Sequence, residues 1–136
     1  MSVFLDPQTP SVFKTVRVSG INLTSTAITD LYTVPSGKII IPVNCSLRYT
    51  TINTVTGQGA VAWTSSGGRT FVNGVFTSAV GAGLDYSNFI VRSENLGGST
   101  SYILPAGDVA QFNLFAAFTA TALIGEVFFT FIEVDA

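Results

Sequence analysis

Apolar and polar residues alternate with period two along much of the chain. The plainest run is Lys38 to Thr50, where Ile39, Ile41, Val43, Cys45, Leu47 and Tyr49 share one face and Lys38, Asn44, Ser46, Arg48 and Thr50 the other. That spacing predicts a half-buried strand. A second strand is predicted from Val109 to Ala120, with Phe112, Leu114, Ala116 and Phe118 on one face, Gln111, Asn113, Ala117 and Thr119 on the other, and Phe115 breaking the polar side. The last strand, Gly125 to Val134, is apolar on both faces at its centre. It should lie mid-sheet, one face in the core and the other covered, because Val127 to Ile132 left open would be an aggregation segment. Phe128, Phe129 and Phe131 are its candidate interface residues. Shorter strands are predicted at Val12–Ser19, Ala27–Val34, Ala60–Ser65, Thr70–Thr77, Ser87–Arg92 and Thr100–Leu104.

No helical periodicity persists over three turns, and Gly and Pro punctuate the chain at short intervals. Two turns sit inside an internal echo: Leu31-Tyr32-Thr33-Val34-Pro35-Ser36-Gly37-Lys38 aligns with Ser101-Tyr102-Ile103-Leu104-Pro105-Ala106-Gly107-Asp108. In each, proline presets φ and a glycine two residues on supplies φ > 0, as in a type I turn closed by a G1 bulge. The echo reads either as two equivalent strand–turn–strand units or as one favoured hairpin reached twice. Many short strands and no helix predict an all-β fold, a two-sheet β-sandwich of jelly-roll-like topology with eight or nine strands. An immunoglobulin-like sandwich is the alternative, although its Cys…Trp…Cys spacing is absent. Residues 1–10, with Pro7 and Pro10 framing Gln8-Thr9, read as an extended arm and residues 11–136 as a single domain.

Composition narrows the function. The chain of 136 residues is 47% hydrophobic and carries six basic and eight acidic side chains, where an average soluble domain of this length has about 34 charges. A folded chain of this mass exposes on the order of 6,800 Å², so either much of the surface is Thr, Ser, Asn and Gly or part of it is built to be covered. Val109–Gly125 and Val127–Ile132 are where covering by a neighbouring subunit is expected. With no histidine there is no Ser-His-Asp or Cys-His chemistry. The lone Cys45, on the predicted inward face, is a core residue and cannot build a thiolate metal site. The six cations, Lys14, Arg17, Lys38, Arg48, Arg69 and Arg92, are scattered singly, which disfavours nucleic acid. Met1 to Pro7 lacks the features of a signal peptide, and Val109–Gly125 is too polar and too short for a spanning helix. Synthesis in the cytoplasm and no membrane partner are expected.

Candidate chemistry is sparse. Eight carboxylates, Asp6, Asp30, Asp85, Glu94, Asp108, Glu126, Glu133 and Asp135, offer no spacing that selects a glycosidase pair. Asp85 with Ser87 and Asn88 is the nearest approach to a calcium site and falls short of one. No catalytic residue, cofactor or metal is expected. Trp63 with Tyr86, and Tyr102 beside them, are candidates for stacking on a sugar ring, against the plainer reading of Trp63 as a core or interface anchor.

The segment Leu31-Tyr32-Thr33-Val34-Pro35-Ser36-Gly37-Lys38-Ile39-Ile40-Ile41, with the later Ile103-Leu104-Pro105-Ala106-Gly107-Asp108 and the apolar last strand, resembles an element of small all-β structural proteins of tailed bacteriophages. These include capsid decoration (cement) proteins and head or tail fibre modules. The resemblance implies a non-enzymatic virion protein on the capsid surface, a homo-oligomer, often a trimer, whose partner is the major capsid protein. It makes the arm residues Val3, Phe4 and Leu5 candidate docking residues, and it carries over no catalytic residue. A repetitive fibre shaft is absent, and no basic residue precedes Lys14. The alternative expectation is a carbohydrate- or receptor-binding module of a head or tail fibre, and a third is a glycan hydrolase.

Overall fold

The computed structural model describes residues 12–76, 86–90 and 103–136. They form nine strands: β1 (Val12–Asn22), β2 (Ala27–Thr33), β3 (Lys38–Gly57), β4 (Gly59–Ser65), β5 (Thr70–Phe76), β6 (Tyr86–Ile90), β7 (Leu104–Pro105), β8 (Val109–Ala116) and β9 (Thr119–Asp135). One sheet has the order β1-β9-β3-β6, with the short β7 also on β3, and the other β2-β8-β4-β5. Every pairing is antiparallel. The first strand lies beside the last, the second beside the penultimate, and the chain crosses repeatedly between layers. Setting β7 aside, that is the strand order of a jelly roll.

The two long strands differ from their predicted bounds for one reason. β3 and β9 pair along their whole length, from Lys38↔Asp135 to Gly57↔Thr119, so pairing carries both strands through residues that read as turns. Gly125 does not begin a strand; it lies within β9, where a Cβ would stand 3.0 Å from both the Arg48 carbonyl oxygen and Leu47 Cδ1. Glycine there admits a close backbone approach.

The predicted inward face of β3 holds only from Cys45 onward. Ile40 is buried before it, while Cys45, Leu47 and Tyr49 are buried after it, because the register shifts between Pro42 and Asn44. One extra residue reverses which side chains face the core. Pro42, which has no N–H to give, sits at that irregularity. Ile39 and Ile41 are thereby turned to the outer side of the sheet.

Aromatic rings join the layers. Phe71 of β5 lies 5.5 Å from Phe129 of β9 and Tyr32 of β2 lies 4.6 Å from Phe131, while within the second sheet Trp63 of β4 meets its cross-strand partner Phe112 of β8 edge-on at 5.0 Å. Trp63, Phe71, Phe112, Phe129 and Phe131 are among the largest fully buried side chains.

The internal echo is two equivalent corners. Lys38 N donates to the Pro35 carbonyl at 3.2 Å and Asp108 N to that of Pro105 at 3.1 Å, with Gly37 and Gly107 at φ +76° and +87°. Each corner carries the chain from one sheet to the other. The two also bond to each other: Val34 N donates to Asp108 O and Gly107 N to Val34 O, both at 2.9 Å. Asp108 ties this pair to the β4–β5 turn, accepting from Ser66 Oγ and Gly67 N at 2.8 Å and from Arg69 Nη1 at 2.9 Å. Burial pushes its carboxyl up, and hydrogen bonds led by those of Ser66 and Gly67, with Ser65 and Val109 after them, more than offset that, leaving it below the usual carboxylate value.

Candidate interaction surface

Pairing places the residues of β1, β9 and β3 in cross-strand rows. Val16, Val18, Val127, Phe129 and Phe131 face the core, so their neighbours along each strand face outward. Three outer rows follow from the register: Phe13–Ile132–Ile41, then Thr15–Thr130–Asn44, then Arg17–Phe128–Ser46. Phe13 is 69% exposed. Thr15 and Thr130 hydroxyls bond at 2.9 Å. The Arg17 guanidinium lies 5.9 Å from the Phe128 ring centre, a cation–π distance.

Beyond these rows stands Glu126, opposite Arg48. It is only 2% exposed although it belongs to the outer face. Arg17 closes over it from β1, with Nε 2.8 Å and Nη2 2.6 Å from Oε2, and Arg48 from β3, with Nη1 3.2 Å from Oε1. Ser19 Oγ donates to Oε2 at 3.3 Å. The hydrogen bond from Arg17 leads in holding the Glu126 carboxyl below the ordinary glutamate value. Both guanidiniums keep more than half of their side-chain surface open to solvent.

A second buried carboxylate on β9, Glu133, faces inward. Tyr32 Oη donates to Oε2 from the other sheet, and Lys14 Nζ to Oε1 at 3.0 Å. The Tyr32 hydrogen bond, followed by that of Lys14, holds its carboxyl low. An inward-pointing charge on edge strand β1 also discourages edge-to-edge pairing.

The outer face of the second sheet is plainer. Ile28 opposes Asn113, and Asp30 opposes Gln111, whose Nε2 donates to Asp30 Oδ1 at 2.9 Å. Phe115 is the unpaired residue where β8 shifts register against β4. Ile28 is 60% and Phe115 50% exposed.

These positions correct several sequence expectations. Phe129 and Phe131 fill the molecule's own core and present no surface to a neighbour. Only Phe128 of the three turns outward, half-buried beneath Arg17. Trp63 is fully buried, so neither face of its ring is open to a sugar. The Tyr86 backbone pairs with Arg48. Val3, Phe4, Leu5, Asp85, Glu94 and Tyr102 lie outside the described residues. Cys45 is buried, and burial pushes its thiol well up, away from nucleophilic form. Among the described residues no three His, Cys, Asp or Glu groups come together to hold a metal, and no helix is long and apolar enough to cross a membrane.

The Arg17–Glu126–Arg48 cluster and the Phe13–Ile132–Ile41 row were not singled out from the sequence. Their members stand far apart in the chain and meet only through the pairing of β9 with both neighbours. Strand parity was the available signal, since Arg17 and Glu126 each interrupt apolar strands on the solvent-facing parity.

By sequence, the chain matches no protein-family model and no curated protein. Among solved structures, a chain in the structure of infectious bursal disease virus Gt strain aligns over 99% of this chain and 45% of that one, at 10% identity and a TM-score of 0.26. The chain thus spans less than half of that neighbour, and a superposition this loose identifies neither a family nor a function.

Proposed function

We propose that the protein is a non-enzymatic bacteriophage virion component of the decoration (cement) type. It would bind the major capsid protein between capsomers and stabilise the shell as a homo-oligomer, with a trimer favoured, after synthesis in the host cytoplasm. The supporting observation is that, among the described residues, three of the four large exposed apolar side chains, Phe13, Ile28 and Phe115, stand on the outer faces of the two sheets. A standard interface of about 1,600 Å² at about 25 cal/mol per Å² has a large gross driving force. Association entropy offsets much of it, and repetition over a lattice adds avidity. The carbohydrate-binding alternative loses its principal candidate, because the Trp63 ring is in the core.

Purified protein added to particles that lack it should bind saturably and raise the temperature at which they release their contents. Particles that take up no protein and gain no heat resistance would overturn the proposal.

A further inference from the structure

Among the described residues charge is balanced locally, with two exceptions on opposite faces. Among the described residues Lys14 pairs with Glu133, Lys38 with Asp135 and Arg69 with Asp108, one cation to one carboxylate. Arg17 and Arg48 share the single carboxylate of Glu126, which leaves one positive charge in excess on the outer face of the first sheet. Asp30 is the one side-chain carboxylate among the described residues with no cation, held only by Gln111, and it stands on the outer face of the second sheet. Each unbalanced charge has exposed apolar residues nearby: Phe13 in the row with Ile132 and Ile41 on the first sheet, Ile28 and Phe115 on the second.

The spacings also correspond. Phe13 and Arg17 are four residues apart on β1. Phe115 is four residues beyond Gln111, the residue opposite Asp30. At about 3.3 Å per residue both separations are about 13 Å along the strand. A copy laid with its second sheet on the first sheet of another can therefore set Phe115 against the Phe13 row while Asp30 reaches the arginine pair. Two like faces brought together would offer the arginine pair no unpaired carboxylate and Asp30 no cation.

We propose that the two outer faces are the halves of one heterologous interface between copies of this chain, the first sheet of each copy seated on the second sheet of the next. The pre-set guanidiniums of Arg17 and Arg48 take the Asp30 carboxylate, and the apolar residues are covered beside them. Because the two faces lie on opposite sides of the sandwich, successive copies stack front to back, and a heterologous contact of this kind stays open unless the rotation between copies closes it. The arrangement rests on the oligomer of the proposed function and specifies its surfaces.

The test uses full-length protein, with mass read by light scattering after size exclusion and circular dichroism confirming the fold. Phe13→Asp disables the first face and leaves the second, Asp30→Lys does the reverse, and both positions are exposed. Wild type should run above monomer mass and shift toward monomer as salt rises. Each variant alone should drop to monomer. An equimolar mixture should form a dimer and nothing larger, because one live face of each kind remains. A monomeric wild type, a variant that keeps the oligomer, or a mixture that stays monomeric would each overturn the arrangement. Binding to capsids is read separately: a monomer that binds particles removes the self-contact and keeps the decoration role, and an oligomer that binds none does the opposite.

Discussion

Phe128 and Phe129 are neighbours on β9 and have opposite surroundings. Phe129 is fully buried between the sheets, against Phe71 and Phe131. Phe128 faces outward, half-covered by the Arg17 guanidinium. The contrast extends along the strand: Val127, Phe129, Phe131 and Glu133 point inward, while Glu126, Phe128, Thr130 and Ile132 point outward. A strand apolar on both faces therefore serves two purposes. Its inner row holds the layers together, and its outer row joins β1 and β3 into a surface with an apolar end and a cationic end.

The sharpest way to break this contrast is to truncate each phenylalanine in turn. Phe129→Ala removes a fully buried ring and should cost about 3–5 kcal/mol of stability. Phe128→Ala, which loses partial burial and an exposed cation–π contact, should cost about 1 kcal/mol. Urea denaturation of both variants against wild type measures the pair. Equal losses would show that the outer row is as much a part of the core as the inner one.

A smaller effect comes from acid. Glu126 on the outer row and Glu133 on the inner row are both held below the ordinary glutamate value. A carboxyl that binds its proton more weakly when folded stabilises the fold fully at pH above its unfolded value. The contribution is lost as pH falls through the folded value, because the unfolded chain then takes up more protons. Stability should thus be flat from neutral pH to the ordinary carboxylate range and fall below it. Glu126→Gln should be less stable at neutral pH and show a shallower acid decline. Denaturation midpoints measured from pH 7 to pH 2 would show it, and an unchanged acid slope would mean that the arginines do not shield this carboxylate.

Strand positions were legible in the sequence because the side-chain period of a strand is two, and the alternation in Cys45–Thr50 and Ala110–Leu114 is clean; the strand predicted over Val109–Ala120 ends at Ala116 instead, and β9 begins at Thr119. Facing was less so. On β9 both parities are apolar, so nothing local distinguished Phe128 from Phe129, and the burial of Phe129 and Phe131 follows from which parity meets Phe71 and Tyr32 across the sandwich. On β3 the irregularity after Pro42 reversed the parity and moved Ile39 and Ile41 outward. The surface built from Phe13, Ile132 and Ile41 was hidden twice, once by that reversal and once because its three members come from distant segments.

That row gives the finest test of the contrast. Ile132 stands between Phe13 and Ile41, and Ile132→Thr keeps the β-branched shape that suits a strand while replacing apolar surface by a hydroxyl. If the outer row serves contacts between molecules, the isolated fold should lose less than about 1 kcal/mol. Self-association, read by light scattering, should weaken several-fold. A loss as large as that of Phe129→Ala would return the row to the core. A variant with both stability and association unchanged would show that the apolar end of this face is neither core nor interface, and the low charge of the chain would then need another cause.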